Sequence, residues 1–192
     1  MQSAERWLEE TFRYVFAQTG LLENALTHRS AAGSSNERLE FLGDAILDLV
    51  ISAEIYAIRP EASEGDLSRL RAYLVNDAAL AELASELEVG KHLLLGEGER
   101  KSGGHRRESI LADALEALFG AIYLDSGYDA ARTVIEYCFA SRLAELPDVE
   151  SLRDPKTRLQ EWLQARGRAL PEYKLDLVSG KAHRQHFEVT CL

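Results

Sequence analysis

Glu37, Glu40 and Asp44 lie in one segment of the chain, and Asp113 and Glu116 in another. At 100° per residue the first three fall at about 0°, 300° and 340° on a helix, an arc of roughly 60°. Solvated helix faces usually set Glu against Lys or Arg three or four residues on. Here Glu40 is followed at those positions by Gly43 and Asp44, and Glu37 by Glu40 and Phe41. Asp113 and Glu116 repeat the pattern at a spacing of three, with Ala117 and Gly120 four residues after each. Carboxylates stacked this way repel one another unless a cation sits between them, so the choice is between a cation site and a solvated face. Oxygen ligands without His or Cys suit Mg²⁺ or Mn²⁺. Such ions activate water and stabilise a leaving oxygen in phosphodiester hydrolysis. A di-iron four-helix site needs Glu-x-x-His. Gly43 and Phe119 occupy the third position after Glu40 and Glu116, which excludes that reading.

The elements that position these acids read as helices. Leu8, Phe12, Val15 and Phe16 form a first amphipathic stripe, and Leu21–His28 a short second helix. Asn36 is the expected N-cap of a long helix running to about Ile58, before Pro60. Its expected core face is Leu39, Leu42, Ala45, Ile46, Leu49 and Val50, opposite the acids, with Phe41 at the edge as a self-association contact or a core-edge residue. Ser63 caps the next helix, and another spans Ala79–Leu87. Gly96–Arg107 reads as a loop of glycine and basic residues. It lacks the G-x-x-x-x-G-K-[ST] spacing of a P-loop, and its cations either touch RNA backbone or are solvated. Helices over Glu108–Asp125 and Ala130–Leu143 follow. The former is nearly all apolar apart from Asp113 and Glu116, where unpaired buried carboxylates would be expensive.

Beyond a linker at 147–154 the pattern changes. Pro155–Ala165 reads as a helix burying Leu159, Trp162 and Leu163. Tyr173–Val178 and His186–Leu192 alternate as two strands joined through Ser179-Gly180-Lys181. One helix and one hairpin are half of a small α+β domain and marginal as an independent fold.

Composition narrows the partners less than it first suggests. The net charge is -10 over 192 residues. Residues 153–192 nevertheless carry 8 Lys+Arg against 5 Asp+Glu, a basic tail on an acidic body. A cation-loading site needs such an acidic field, so net charge does not exclude RNA. Cys138 and Cys191 form no CxxC pair and read as reduced, partly buried thiols. No apolar run reaches the ~18 residues of a membrane span. Met1–Trp7 has neither the basic start nor the apolar centre of a signal peptide. The expectation is a cytoplasmic protein with no membrane partner.

The segment Asn36-Glu-Arg-Leu-Glu-Phe-Leu-Gly-Asp-Ala45 resembles the signature motif of ribonuclease III. Glu64-Gly-Asp-Leu-Ser-Arg-Leu-Arg71 and Glu108-Ser-Ile-Leu-Ala-Asp-Ala-Leu-Glu-Ala117 resemble the family's other blocks, in order. The resemblance spans the chain and points to a bacterial member. It implies an all-α endonuclease domain (1–146) followed by a truncated α+β double-stranded-RNA-binding domain (155–192). The implied enzyme is a cytoplasmic homodimer that cuts both strands of double-stranded RNA, in ribosomal and messenger RNA precursor processing. Its products carry 5′-phosphates and two-nucleotide 3′ overhangs. Carried over by position, Glu40, Asp113 and Glu116 are Mg²⁺ ligands, with Mn²⁺ as a substitute ion. Asp44 and Glu116 are catalytic, and Glu37 and Glu64 are supporting acids. In the tail, Asp154-Pro-Lys-Thr-Arg-Leu-Gln-Glu161 resembles the start of the RNA-binding domain. Thr157, Gln160, Glu161 and His183 are its implied RNA contacts. That domain's third strand and last helix are absent, which implies weakened RNA binding. The alternatives to a double-stranded-RNA nuclease are a family member that grips RNA without cutting it and a hydrolase of another phosphodiester such as DNA.

Overall fold

Helix α3 (Glu37–Ile58) crosses helix α7 (Glu108–Ala144) at a separation that only glycine permits. A β-carbon on Gly43 would lie 1.8 Å from the backbone oxygen of Glu116, and one on Gly120 would lie 2.3 Å from that of Leu39. The computed structural model describes residues 2–153, 155–181 and 184–192, which fall into two units, Met1–Val149 and Glu150–Leu192. In the first, α7 is buried almost all round from Ile110 to Ile122, as its apolar sequence requires of a central helix. Gly127 interrupts it at φ 82° and ψ -175°, in the gap expected between two helices. Around it stand α1 (Gln2–Phe12), α2 (Thr19–Ala25), α4 (Glu64–Val75), α5 (Asp77–Glu86) and α6 (Glu97–Lys101). The second unit holds α8 (Val149–Leu152, its first residue being the last of the first unit), α9 (Pro155–Gln164) and an antiparallel hairpin of β1 (Tyr173–Ser179) and β2 (His186–Cys191). An all-α unit followed by a helix and hairpin is the expected fold class. Among the described residues no helix is long and apolar enough to cross a membrane.

Several local expectations change. Helix α1 stops at Phe12 because Arg13 takes a left-handed conformation (φ 56°), so Val15 and Phe16 lie beyond it and Val15 is exposed. The core face of α3 is rotated from the expected one. Leu39, Ile46 and Val50 are buried, but Ala45 and Leu49 are exposed, and Gly43, Leu47, Ile51 and Ile55 take their place. The crossing at Gly43 selects this face, which places Glu40 at the seam with α7 rather than opposite the core. Asn36 stands at the N-cap position, but its side chain makes no capping bond; Ser63 does cap α4, accepting from Asp66 N–H at 3.2 Å.

The Gly96–Arg107 stretch is not an open loop. It folds into α6 and a three-residue 3₁₀ turn (Gly104–Arg106). Glu97 pairs with Lys101 (2.6 Å) and Glu99 with Arg107 (2.9 Å), and the acids lead while the bases end α6, as the helix dipole favours. Leu94 is bonded on both sides of α2's exit: His28 N–H donates to Leu94 C=O (3.0 Å), and Leu94 N–H to Leu26 C=O (2.8 Å). This pins residues 26–30 beside the start of α7.

In the second unit no described residue is buried. Leu159 and Trp162 do not form the expected buried face, because one helix and two strands offer too little apolar surface to enclose a core. Trp162 is instead covered by the Arg166 guanidinium, 4.0 Å from its ring centre. The strand register slips between Leu175 and Leu177, and β1 runs one residue past its expected end, to Ser179. Cys138 is buried, and burial pushes its thiol up to about 12, whereas Cys191 is exposed rather than partly buried.

The crossing is open to test. Gly43→Ala should force the two backbones apart and cost about 3 kcal/mol or more, the upper range for overpacking. Gly20→Ala, where nothing lies within 4 Å of the added carbon, should be neutral or slightly stabilising. Urea unfolding midpoints of the two variants provide the comparison, and equal midpoints would disprove the account of Gly43.

Candidate metal centre

Glu40 lies one turn into α3, and Asp113 and Glu116 lie in the second and third turns of α7. Glu40 is three residues from Gly43, and Glu116 is four from Gly120, so the glycine crossing brings the carboxylates face to face. One oxygen from each of Glu40, Asp113 and Glu116 lies within 4.8 Å of the other two, and all three side chains are half-buried. Octahedral Mg²⁺ with Mg–O of about 2.1 Å needs ligand oxygens roughly 3–4 Å apart. A small side-chain rotation supplies that spacing, so the donor set fits a hard divalent cation.

The electrostatics point the same way. Burial, reinforced by Asp44, Glu40, Asp113 and Asp77, pushes the Glu116 carboxyl up to about 8. Burial likewise raises Glu40, with Asp113 and Glu37 adding to it and Arg29 opposing. Asp113 is raised by burial and then by Asp77, against His28 and Arg29. No ion pair within 4.0 Å joins any of the three to a cation among the described residues. Three carboxyls held together, each raised by burial and like-charged neighbours, are a site that a divalent cation stabilises.

The remaining sequence-derived candidates are placed differently. Asp44 is exposed one turn beyond Glu40 and acts on Glu40 and Glu116 through its charge. Glu37 accepts from Ser35 Oγ (2.8 Å) and faces Arg29 at 3.6 Å. Glu64 opens α4, is exposed and accepts from Ser68 Oγ on its own helix (2.9 Å); it is not part of the three-acid group. Thr157, Gln160 and Glu161 lie along one face of α9 in the second unit, and Glu161 pairs with Arg153 at 3.1 Å. His183 lies outside the described residues.

Sequence reasoning missed Asp77, the first residue of α5, whose charge reaches the site from a third helix. It also missed a cavity of about 370 Å³ that shares Glu40 and Asp113 with the acidic cluster and is otherwise lined by His28, Arg29, Asn36, Glu37, Arg107, Ser109 and Ile110. The one available signal was the pair of glycines placed a turn after Glu40 and Glu116. A larger cleft of about 700 Å³, between α5 and the C-terminal part of α7, contains none of the three acids.

The chain is similar to known proteins. A family profile described as ribonuclease-III-like matches residues 18–143. Ribonuclease 3 of Alkalilimnicola ehrlichii is 58% identical, over 96% of this chain and 81% of its own length. Ribonuclease 3 of Nitrosococcus oceani is 56% identical, over 93% and 77%. The nuclease domain of ribonuclease III from Campylobacter jejuni superposes with a TM-score of 0.70 at 41% identity, covering 74% of this chain and 97% of that one. A second structure of that domain, described as flexible in a region involved in dimer formation, gives a TM-score of 0.66 at 45% identity, over 72% and 94%. The profile and these identities establish that the chain belongs to the ribonuclease III family.

Proposed function

We propose that this chain is a divalent-metal-dependent endoribonuclease that hydrolyses phosphodiesters of double-stranded RNA, leaving 5′-phosphates and two-nucleotide 3′ overhangs. The observation that carries the proposal is the convergence of Glu40, Asp113 and Glu116 across the α3–α7 crossing. Family membership supports the same activity. In this reading residues 1–146 are the nuclease domain, 147–154 a linker and 155–192 the N-terminal part of a double-stranded-RNA-binding domain.

Glu40, Asp113 and Glu116 hold Mg²⁺, with Mn²⁺ as a substitute. The ion supplies Lewis acidity, which makes a water more acidic and neutralises charge on the phosphodiester. Glu116, the most strongly raised of the acids with a resolved shift, gives up its proton as the site loads. Asp44, beside the cluster and open to solvent, accepts hydrogen bonds from water at the reacting phosphate. Glu37 and Glu64 position the strand. Thr157, Gln160, Glu161 and His183 contact the duplex, which is read through 2′-hydroxyls and phosphates. The working form is a homodimer built on the outer face of α3, where Phe41 (80% exposed), Leu49 and Tyr56 present an apolar stripe. A cytoplasmic site of action in ribosomal and messenger RNA precursor processing completes the reading.

Three outcomes test it. In Mg²⁺ the chain should cut duplex RNA but neither duplex DNA nor single-stranded RNA, and EDTA should stop it; Glu116→Gln should abolish cleavage while retaining duplex binding. Cleavage at the wild-type rate by that variant would remove Glu116 from the mechanism.

The second outcome is a pH dependence. Glu116 ionises near 4.5 in the unfolded chain and near 8 in the metal-free folded one. Between those values the folded state binds more protons, so metal-free stability should fall as pH rises from about 4.5 to 8. Because a cation displaces that proton, Mn²⁺ affinity should rise with pH over the same window, by up to about tenfold per pH unit for one proton. Calorimetric titration across the window checks both the slope and its flattening in Glu116→Gln. A flat wild-type profile would contradict the assignment.

The third concerns the dimer. Phe41→Glu should shift sedimentation from dimer to monomer without unfolding the chain, and an unchanged sedimentation coefficient would rule out this face.

A further inference from the structure

The cavity of about 370 Å³ beside the three acids is also lined by residues that carry hydrogen-bond donors, His28, Arg29, Asn36 and Arg107 among them. Asn36 is 2% exposed, and its side-chain Nδ2 has no hydrogen-bond partner among the described residues. The side chain is not needed at the helix start. The backbone there is already held, with Asn36 N–H donating to Thr27 C=O (2.8 Å) and Asn36 C=O accepting from Leu39 N–H (2.8 Å) and Glu40 N–H (2.9 Å). A buried donor without an acceptor is destabilising, and an apolar side chain of the same size would serve the fold better unless an acceptor arrives from outside.

His28 repeats the situation on the same cavity, at 8% exposure. Its Nδ1 accepts from Ser30 N–H (3.2 Å) and lies 2.8 Å from Ser30 Oγ. Ser30 Oγ in turn accepts from Gly96 N–H (3.0 Å), which leaves its own proton to point at Nδ1. A backbone N–H can only donate, so Nδ1 carries the lone pair and the ring proton sits on Nε2. That Nε2–H makes no hydrogen bond among the described residues. Arg29 and Arg107 also line the cavity, each facing a carboxylate, Glu37 at 3.6 Å and Glu99 at 2.9 Å.

A ligand that suits these donors has acceptor oxygens, no donors and negative charge. It must also tolerate Glu37, Glu40 and Asp113 on the other side, which disfavours a free anion and favours one tethered to a chain that the acidic site already holds. We propose that the cavity seats the phosphodiester next to the one being cut, with Asn36 Nδ2 and His28 Nε2 donating to its non-bridging oxygens and Arg29 and Arg107 balancing its charge. The proposal rests on the duplex-RNA reading above and adds a second anchoring point for the strand: the acids take the scissile group, and the donors fix its neighbour.

The test uses the full chain carrying Glu116→Gln, so that binding is read apart from cleavage. Asn36→Leu removes the donor without adding charge, and His28→Asn keeps an acceptor for Ser30 while removing Nε2–H. Each should weaken binding of a short RNA duplex by about tenfold or more, the loss expected for a hydrogen bond to a charged group. In Asn36→Leu chains retaining Glu116, Mn²⁺ affinity without RNA should be unchanged and the melting temperature equal or higher, which a merely structural asparagine would not allow. Single phosphorothioates placed along the strand should weaken binding at one phosphate beside the cut, and Asn36→Leu should remove that sensitivity. Arg107→Met, at a half-exposed side chain, should lower sensitivity at the same phosphate and serves if the buried variants do not fold. Unchanged duplex affinity in the folded variants, or phosphorothioate effects identical to those of the parent, would overturn the proposal. Failure of the wild-type chain to cut duplex RNA would sink the functional reading instead, and the affinity comparison would still decide the cavity.

Discussion

Helices α3 and α7 meet backbone to backbone at Gly43 and Gly120, and the arrangement of the nuclease unit follows from that contact. With any β-carbon at either position the helices would have to part by the width of a methyl group. The acids sit on the turns next to these glycines, so the same contact that closes the core also sets the distance between Glu40 and Glu116. Rigidity and chemistry share one cause here. The crossing is tight because the residues are small, and the carboxylates converge because the crossing is tight.

Convergence has an energetic consequence. Each of the three acids loses hydration and gains like-charged neighbours, and among the described residues no lysine or arginine lies within ion-pair distance to offset this. The folded chain therefore carries a destabilising cluster at neutral pH. Asp44 and Asp77 deepen that field from solvent and from the start of α5. Arg29 and His28 act against it at Asp113, from a segment held in place by the backbone bonds of Leu94 with residues 26 and 28. The centre is thus a field of opposed charges in which acids dominate on one side and donors line the other.

The second unit follows different physics. Its helix and hairpin leave both faces of β1 and β2 exposed, along with Leu159 and Trp162. Alternation correctly located the strands, because period two is a local property. The buried face expected of the helix before them needs a partner surface that one hairpin does not supply.

The sequence by itself determined the elements near the centre and the candidate acids. Helical periodicity located α3, α5 and the two parts of α7 to within a few residues, and the absence of Lys or Arg at i+3 and i+4 singled out the acids. The tertiary structure alone decided which acids meet. Period 3.6 says which residues share a helix face, but not which face turns toward a neighbour more than seventy residues away. That rotation was set by the steric fit of Gly43 against Glu116. It moved the core stripe of α3 onto Gly43, Leu47 and Ile51, and turned Glu40 inward while leaving Leu49 exposed. It also recruited Asp77, His28 and Asn36, whose places depend on contacts between segments distant in the chain and leave no periodic trace in the sequence.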